Sequence, residues 1–504
     1  IVSARSTIAP TDGGRAHPWQ IVELVLDVPP SAARAGQPLD VRFGWHAPGD
    51  RAPDLIIDRL SLQAAAARDG LDDAVIDVAR ERRFTTLRWP GGNVASAYRW
   101  REGVGPVDRR PTVRNDAWGG LEHHLIGTDE YVAFCRAIGA EPHITVNVAT
   151  GTAEEAGDWV EYCNGPTSTR MGALRARNGH PEPYGVRLWE VGNEVYADWQ
   201  IGFHGAEEYA QRLSAFAAEM RARSPMPLRL IACGNSFDDA LPEIGTRHVT
   251  ADGSWQEAVL THAANDIDMI SLHSIPMNDA FADDVTDDEA SLAVLGQVST
   301  WERHWIPTLL ERLDRAGRLP DVAPLGLAIT EWGPLGGHPR RLMAENVGAV
   351  AYAASFLNMA ARRSDRIALA SPNGFMHGGC VRKAGGRIFL DPQVVVQDVY
   401  RSFAGSRPLR CTITGPGFDV VVPADIAVPD TDIPFVDALA CLDRDGGTLR
   451  AALVNRHPDR DLHVDVSVTG TTWPSAMAVR TLAFPDASAR VSPAEPDRFP
   501  IGVE

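Results

Sequence analysis

The sequence predicts a (β/α)8 barrel joined to a β-sandwich built from both chain ends. Three observations predict it. From about residue 54 to 403, short apolar runs alternate with amphipathic helical segments, the pattern of βα units around a parallel sheet. Two of those runs, LWEVGNE (Leu188–Glu194) and LAITEW (Leu327–Trp332), reach a carboxylate at their ends, Glu194 and Glu331. The C-terminal tips of barrel strands are where such folds build their sites. Near both chain ends the pattern changes to period-two alternation punctuated by Pro and Gly.

Taken in order, residues 1–50 hold two candidate sandwich strands, Ile21–Val28 and Leu39–Trp45. In the second, Leu39, Val41, Phe43 and Trp45 alternate with polar positions. Residues 51–390 form the expected barrel. Its first strand is poorly defined, near Leu55–Leu60. The others are Phe84–Trp89, His143–Val148, Val186–Val191, Leu228–Cys233, Ile267–His273, Leu325–Thr330 and Ile367–Ala370, which puts Glu194 after the fourth strand and Glu331 on the seventh. Thr152 with Glu155 reads as a capping box opening a helix whose apolar face is Ala156, Trp159, Val160 and Cys163. Tyr209, Leu213, Phe216 and Met220 mark a second such face. Residues 391–504 form the C-terminal sandwich part, with alternation at Leu462, Val464, Val466 and Val468 and a hairpin turn at Asp445-Gly446-Gly447.

At 504 residues the chain is too long for one ordinary domain, and 44% hydrophobic with 23% charged residues is a globular composition. No run approaches the roughly 18 apolar residues of a membrane span. A formal charge of −18 argues against nucleic acid, whose binding needs clustered Lys and Arg. The six cysteines lie far apart without a CxxC, which argues against a zinc site and for buried free thiols in a reducing compartment. Ile1–Pro10 carries no basic segment followed by an apolar core, so a cytoplasmic protein is expected.

Two strand-end carboxylates suffice for glycoside hydrolysis with neither metal nor cofactor: one protonated to donate to the leaving oxygen, one ionised to attack the anomeric carbon. Environment can split two identical groups into those roles. The surrounding text narrows this further. LRWPGGN (Leu87–Asn93), YRWREGVGP (Tyr98–Pro106), AWGG with Glu122, GTDEY (Gly127–Tyr131), NGHPEPYGVRLWEVGNE (Asn178–Glu194) and WQIG followed by EEY (Trp199–Tyr209) together resemble glycoside hydrolase family 51, the α-L-arabinofuranosidases of the retaining (β/α)8 clan.

The resemblance implies that Glu194 is the acid/base and Glu331 the nucleophile, with carboxyls about 5–5.5 Å apart. It implies that Asn193 contacts the sugar 2-hydroxyl and that Arg88 holds the nucleophile ionised. Asn93 matches a sugar-contacting Asn, Trp118 an aromatic walling the pocket, and Gln397, in QDVY, a substrate-contacting Gln. His273 and His377, the latter in the loop Asn373–Cys380, are further candidates to line the site. Glu190 reads as structural, facing the barrel interior. The implied partner is a furanose-containing oligo- or polysaccharide, and relatives of this type often form homo-oligomers.

The chain departs from the family in three places. An early Glu that binds the furanose hydroxyls is not found. Ile275 stands where a Tyr touching the nucleophile would be. Glu122-His123-His124 replaces Glu-x-Asn. The chemistry is kept while the sugar-reading pocket is rebuilt, so β-D-galactofuranoside, D-arabinofuranoside, an endo-β-glycan and a non-catalytic carbohydrate-binding role stand as alternatives to α-L-arabinofuranoside.

Overall fold

The computed structural model describes residues 70–236, 255–316, 323–421 (without 339, 347, 377–379 and 385) and 430–470, with short stretches at 22–27, 477–483 and 502–503 and the single positions 42, 60, 62, 67, 319 and 490. Seven parallel strands form its centre: β1 (Thr86–Trp89), β2 (Glu141–Val146), β3 (Leu188–Val191), β4 (Arg229–Cys233), β5 (Met269–Ser274), β6 (Gly326–Trp332) and β7 (Ile367–Pro372). Each pairs with the next in sequence, and the two edge strands β1 and β7 come close together, so the sheet curls into a nearly closed barrel. All seven were legible as apolar runs. The eighth, expected near Leu55–Leu60, lies outside the described residues but for Leu60. The fold is a (β/α)8 barrel.

Helices α1 (Asp73–Arg82), α2 (Thr128–Ile138), α3 (Ala153–Asn164), α4 (Arg170–Arg177), α5 (Ala206–Arg223), α6 (Trp255–Ala263), α7 (Asp287–Thr300), α8 (Ile306–Arg315), α9 (Ala349–Arg362) and α10 (Pro392–Tyr400) complete the βα units. Their apolar stripes are buried as expected: Ala156, Trp159, Val160 and Cys163 on α3, and Tyr209, Leu213, Phe216 and Met220 on α5. Thr152 does cap α3, accepting from the Glu155 N–H. The Glu155 carboxylate, however, pairs with Arg99 at 2.7 Å. Buried tyrosines tie helices to strands. Tyr209 donates to Val191 O at 2.8 Å and accepts from the Cys233 N–H at 2.7 Å, fixing α5 across β3 and β4.

Inside the barrel, side chains stack in layers. Leu188, Ile231, Met269 and Ala328, with Leu369 against them, form an apolar plug. Two residues further along β3 and β6, on the same strand faces, stand Glu190 and Thr330. With Arg88, His143 and Thr145 they form a buried polar layer directly above the plug. The site sits on this layer.

Beyond the barrel, Arg407–Leu409, Val436–Leu442 and Leu449–Asn455 make a three-stranded antiparallel sheet, the last two joined through Asp445-Gly446-Gly447 as expected. Residues 461–468, expected as a strand from their alternation, form none, and neither do residues 22–27. The segment Leu39–Trp45 lies outside the described residues except Arg42. The six cysteines are free, five of them buried. No helix among the described residues is long and apolar enough to cross a membrane.

Arg362 of α9 joins barrel to sheet: it pairs with Glu302, with Asp437 at 3.1 Å and with Ala438 O at 2.6 Å. Breaking a mostly buried pair from one side leaves uncompensated charge. Arg362→Met is expected to destabilise the protein by about 2–3 kcal/mol, read as a lower urea midpoint.

Candidate active site

The chain turns sharply after β3. Gly192 takes φ +94° and Glu194 φ +46°. A non-glycine residue in the left-handed region is uncommon and costs about 1–3 kcal/mol. The turn aims the Glu194 carboxylate back over the barrel mouth, where His273 Nδ1 meets its Oε1 at 2.7 Å and Trp199 Nε1 donates to its Oε2 at 2.9 Å. Only glycine fits at 192: a Cβ there would lie 2.5 Å from Val148 Cγ1.

Arg88, near the end of β1, organises the rest. Its Nε donates to Glu190 Oε2, its Nη1 to Glu331 Oε1 at 2.9 Å, and its Nη2 to Asn193 Oδ1 at 2.7 Å. Glu190 also accepts from Thr145 Oγ1 at 3.2 Å and Thr330 Oγ1 at 3.1 Å. Burial opposes its charge. Arg88 outweighs burial and holds the Glu190 carboxyl well below the usual carboxylate range. His143, 3.4 Å away, is pushed down by burial and stays neutral.

The β5–β6 pairing shifts register between Leu272 and His273, which sets His273 opposite Glu331. The imidazole then reaches both carboxylates, Glu194 at 2.7 Å and Glu331 Oε1 at 4.0 Å. Burial lowers the His273 pKa, but the charges of Glu331 and Glu194 outweigh burial and raise it. Glu194 is likewise opposed by burial, and the His273 bond holds it below its ordinary value.

Two amides present donors. Asn193 Oδ1 is tied to Arg88, and its buried Nδ2 has no partner among the described residues. Asn93, in the loop after β1, has its Oδ1 held by Gln200 Nε2 at 2.6 Å, and Ser96 Oγ fixes Gln200 in turn at 2.7 Å. Each Oδ1 is committed to the protein, which turns each NH2 away from that bond. This is a polar set for hydroxyl-rich ligands. Among the described residues no group of His, Cys, Asp and Glu is arranged to hold a metal ion.

The family described as Alpha-L-arabinofuranosidase 1 domain matches residues 79–284, the stretch carrying β1 to β5. A probable alpha-L-arabinofuranosidase C of Aspergillus clavatus is 36% identical over 218 residues, 43% of each chain. An intracellular exo-alpha-(1->5)-L-arabinofuranosidase of Streptomyces lividans is 38% identical over 211 residues, 42% of this chain and 30% of that one. The match thus spans less than half the length of these relatives. The solved structure of the thermostable GH51 alpha-L-arabinofuranosidase of Thermotoga petrophila superposes with TM-score 0.74 at 28% identity, over 88% of this chain and 87% of that one. Over residues 79–284 in sequence, and over most of its length in fold, the chain is similar to the α-L-arabinofuranosidases of glycoside hydrolase family 51.

Glu194, Glu331, Asn193, Arg88 and His273 share one hydrogen-bonded group, and Asn93 joins the Glu194 loop through Gln200. Trp118 lies on the Val113–Glu122 hairpin, 65% exposed. Gln397 lies in α10, and its buried Nε2 has no hydrogen-bond partner among the described residues. His377 lies outside the described residues. His124, from the divergent Glu122-His123-His124, is buried and bonds Pro111 O at 2.8 Å, a structural role. Sequence reasoning passed over Gln200, Trp199 and Thr330. The segment WQIG carries no local pattern that names which residue each of its side chains meets.

Gly192→Ala is expected to lower thermal stability by about 1–3 kcal/mol and to cut activity by displacing Glu194, measured on the same preparation. Glu190, with its depressed pKa, contributes stability that is present above its unfolded value of 4.5 and lost as pH falls below it. Glu190→Gln should therefore be less stable at pH 7, and the gap to wild type should narrow below about pH 4.5, as read by urea unfolding.

Proposed function

We propose that this protein hydrolyses terminal α-L-arabinofuranosides with retention of configuration. Glu331 is the nucleophile: Arg88 occupies Oε1, and Oε2 carries no hydrogen bond among the described residues, leaving it to attack the anomeric carbon. Glu194 gives its proton to the glycosidic oxygen, the alcohol leaves, and C1 is esterified to Glu331. The Glu194 carboxylate then takes a proton from water, whose oxygen attacks C1 and frees Glu331. The unpartnered Asn193 Nδ2 donates to a sugar hydroxyl beside the reacting carbon.

The observation that carries this reading is the single Arg88 guanidinium bonded at once to Glu331, Glu190 and Asn193. The relatives' names support arabinofuranose as the glycone. A glycan is the partner class they imply, and the intracellular Streptomyces relative with the six free thiols supports a cytoplasmic location. Ile275, where the family carries a Tyr, favours one second reading: the same chemistry on a related furanose such as β-D-galactofuranose.

The test is a panel of 4-nitrophenyl glycosides: α-L-arabinofuranoside, β-D-galactofuranoside, α-D-arabinofuranoside and β-D-glucopyranoside. Activity on α-L-arabinofuranoside is expected, and Glu331→Ala should reduce kcat by at least about 10³-fold. Turnover of the glucopyranoside alone, or equal activity in Glu331→Ala, would overturn the assignment.

A further inference from the structure

We propose that Thr330 is a positioning residue that decides which nitrogen of His273 carries hydrogen, and so keeps on the His273–Glu194 pair the proton that Glu194 delivers. The inference rests on the hydrolytic reading above.

The argument follows hydrogen-bond direction. Glu190 is ionised and can only accept. Thr330 Oγ1 lies 3.1 Å from Glu190 Oε1, so its single hydrogen points there. Toward His273 Nε2, 3.0 Å away on its other side, Thr330 then offers lone pairs only. Nε2 must carry the hydrogen of a neutral His273. That leaves Nδ1 as an acceptor facing Glu194 Oε1 at 2.7 Å. Two acceptors cannot meet at that distance, so one proton lies between them. It sits on either partner, and the pair holds it as a unit.

The surrounding charges agree. The groups facing His273 are Glu194, Glu331, Arg88 and Glu190. Tyr196 lies against Glu194 and Glu331. One fixed cation, Arg88, stands among three carboxylates in a buried cluster, and an added proton reduces the excess negative charge. Thr330 therefore couples the buried Glu190–Arg88 layer to the acid without touching substrate. In the first half-reaction the proton passes from Glu194 to the leaving alcohol. In the second a water proton returns to the pair.

If the hydroxyl is removed, Nε2 loses its acceptor. Neutral His273 can then place hydrogen on Nδ1 and donate to ionised Glu194, a state with one proton fewer. The acid form is thereby lost at lower pH.

The test compares Thr330→Val with Thr330→Ser on the furanoside identified by the panel. In Thr330→Val the basic limb of the kcat/KM profile should move down by about one pH unit. In Thr330→Ser, which keeps the hydroxyl, it should stay with wild type. A second readout is leaving-group dependence. At pH 7 the valine variant should lose about tenfold on a phenyl furanoside, which needs acid assistance, and little on the 2,4-dinitrophenyl one, which does not. A merely structural role would lower both. Should Thr330→Val not fold, Thr330→Ala carries the same expectation. An unshifted valine profile, an equal loss on both leaving groups, or a serine variant that shifts with valine would overturn the proposal. A wild type inert on every furanoside would instead overturn the functional reading beneath it.

Discussion

Arg88 is the constraint on which the site depends. A guanidinium in a buried layer is tolerated when its charge is paired and its nitrogens are hydrogen-bonded, and here two carboxylates and an amide oxygen accept one bond from each of its three nitrogens. Glu190 matters because it is the partner that takes no part in the proposed reaction. In the proposed reaction Glu331 would lose its charge on becoming an ester, and Arg88 would lose that bonded counter-ion. With Glu190 fixed beside it, the cation would keep its place through both proposed half-reactions, and Glu331 would return to the same hydrogen bond.

That arrangement is possible because the barrel interior is layered. The apolar plug around Leu188, Met269 and Ala328 excludes water from below. The strand period then places Glu190 and Thr330 two residues further up the same faces, in the layer where Arg88, His143 and Thr145 meet them. In a dry layer a polar group left without a partner is costly, and Glu190 finds Arg88, Thr145 and Thr330. Stability and catalytic geometry are thus served by one set of bonds.

The loops add the donors. The left-handed turn at Gly192 and Glu194 carries strain, and the bonds from His273 and Trp199 hold it in place. Asn193 and Asn93 follow one design: each amide oxygen is anchored by a neighbour, and each NH2 is left for another acceptor. An amide fixed in this way loses little orientational freedom on meeting a sugar hydroxyl.

The sequence by itself determined the barrel, seven of its strands, and the two strand-end glutamates, because burial on a parallel sheet forces continuous apolar runs and a carboxylate at the end of such a run stands out. It also marked Arg88, Asn193 and His273 as candidates. It did not reveal that Glu190 anchors Arg88, that Gln200 orients Asn93, or that Thr330 lies between Glu190 and His273. Those are contacts between strands and loops far apart in the chain, and a Thr or Gln has no local pattern that names its partner. It also suggested strands at Ile21–Val28 and around 462–468, and the described residues 22–27 and 461–468 form none. A strand is made by its neighbour's hydrogen bonds. Only the closure of the sheet, with the register shift at His273, decided which of the candidates meet.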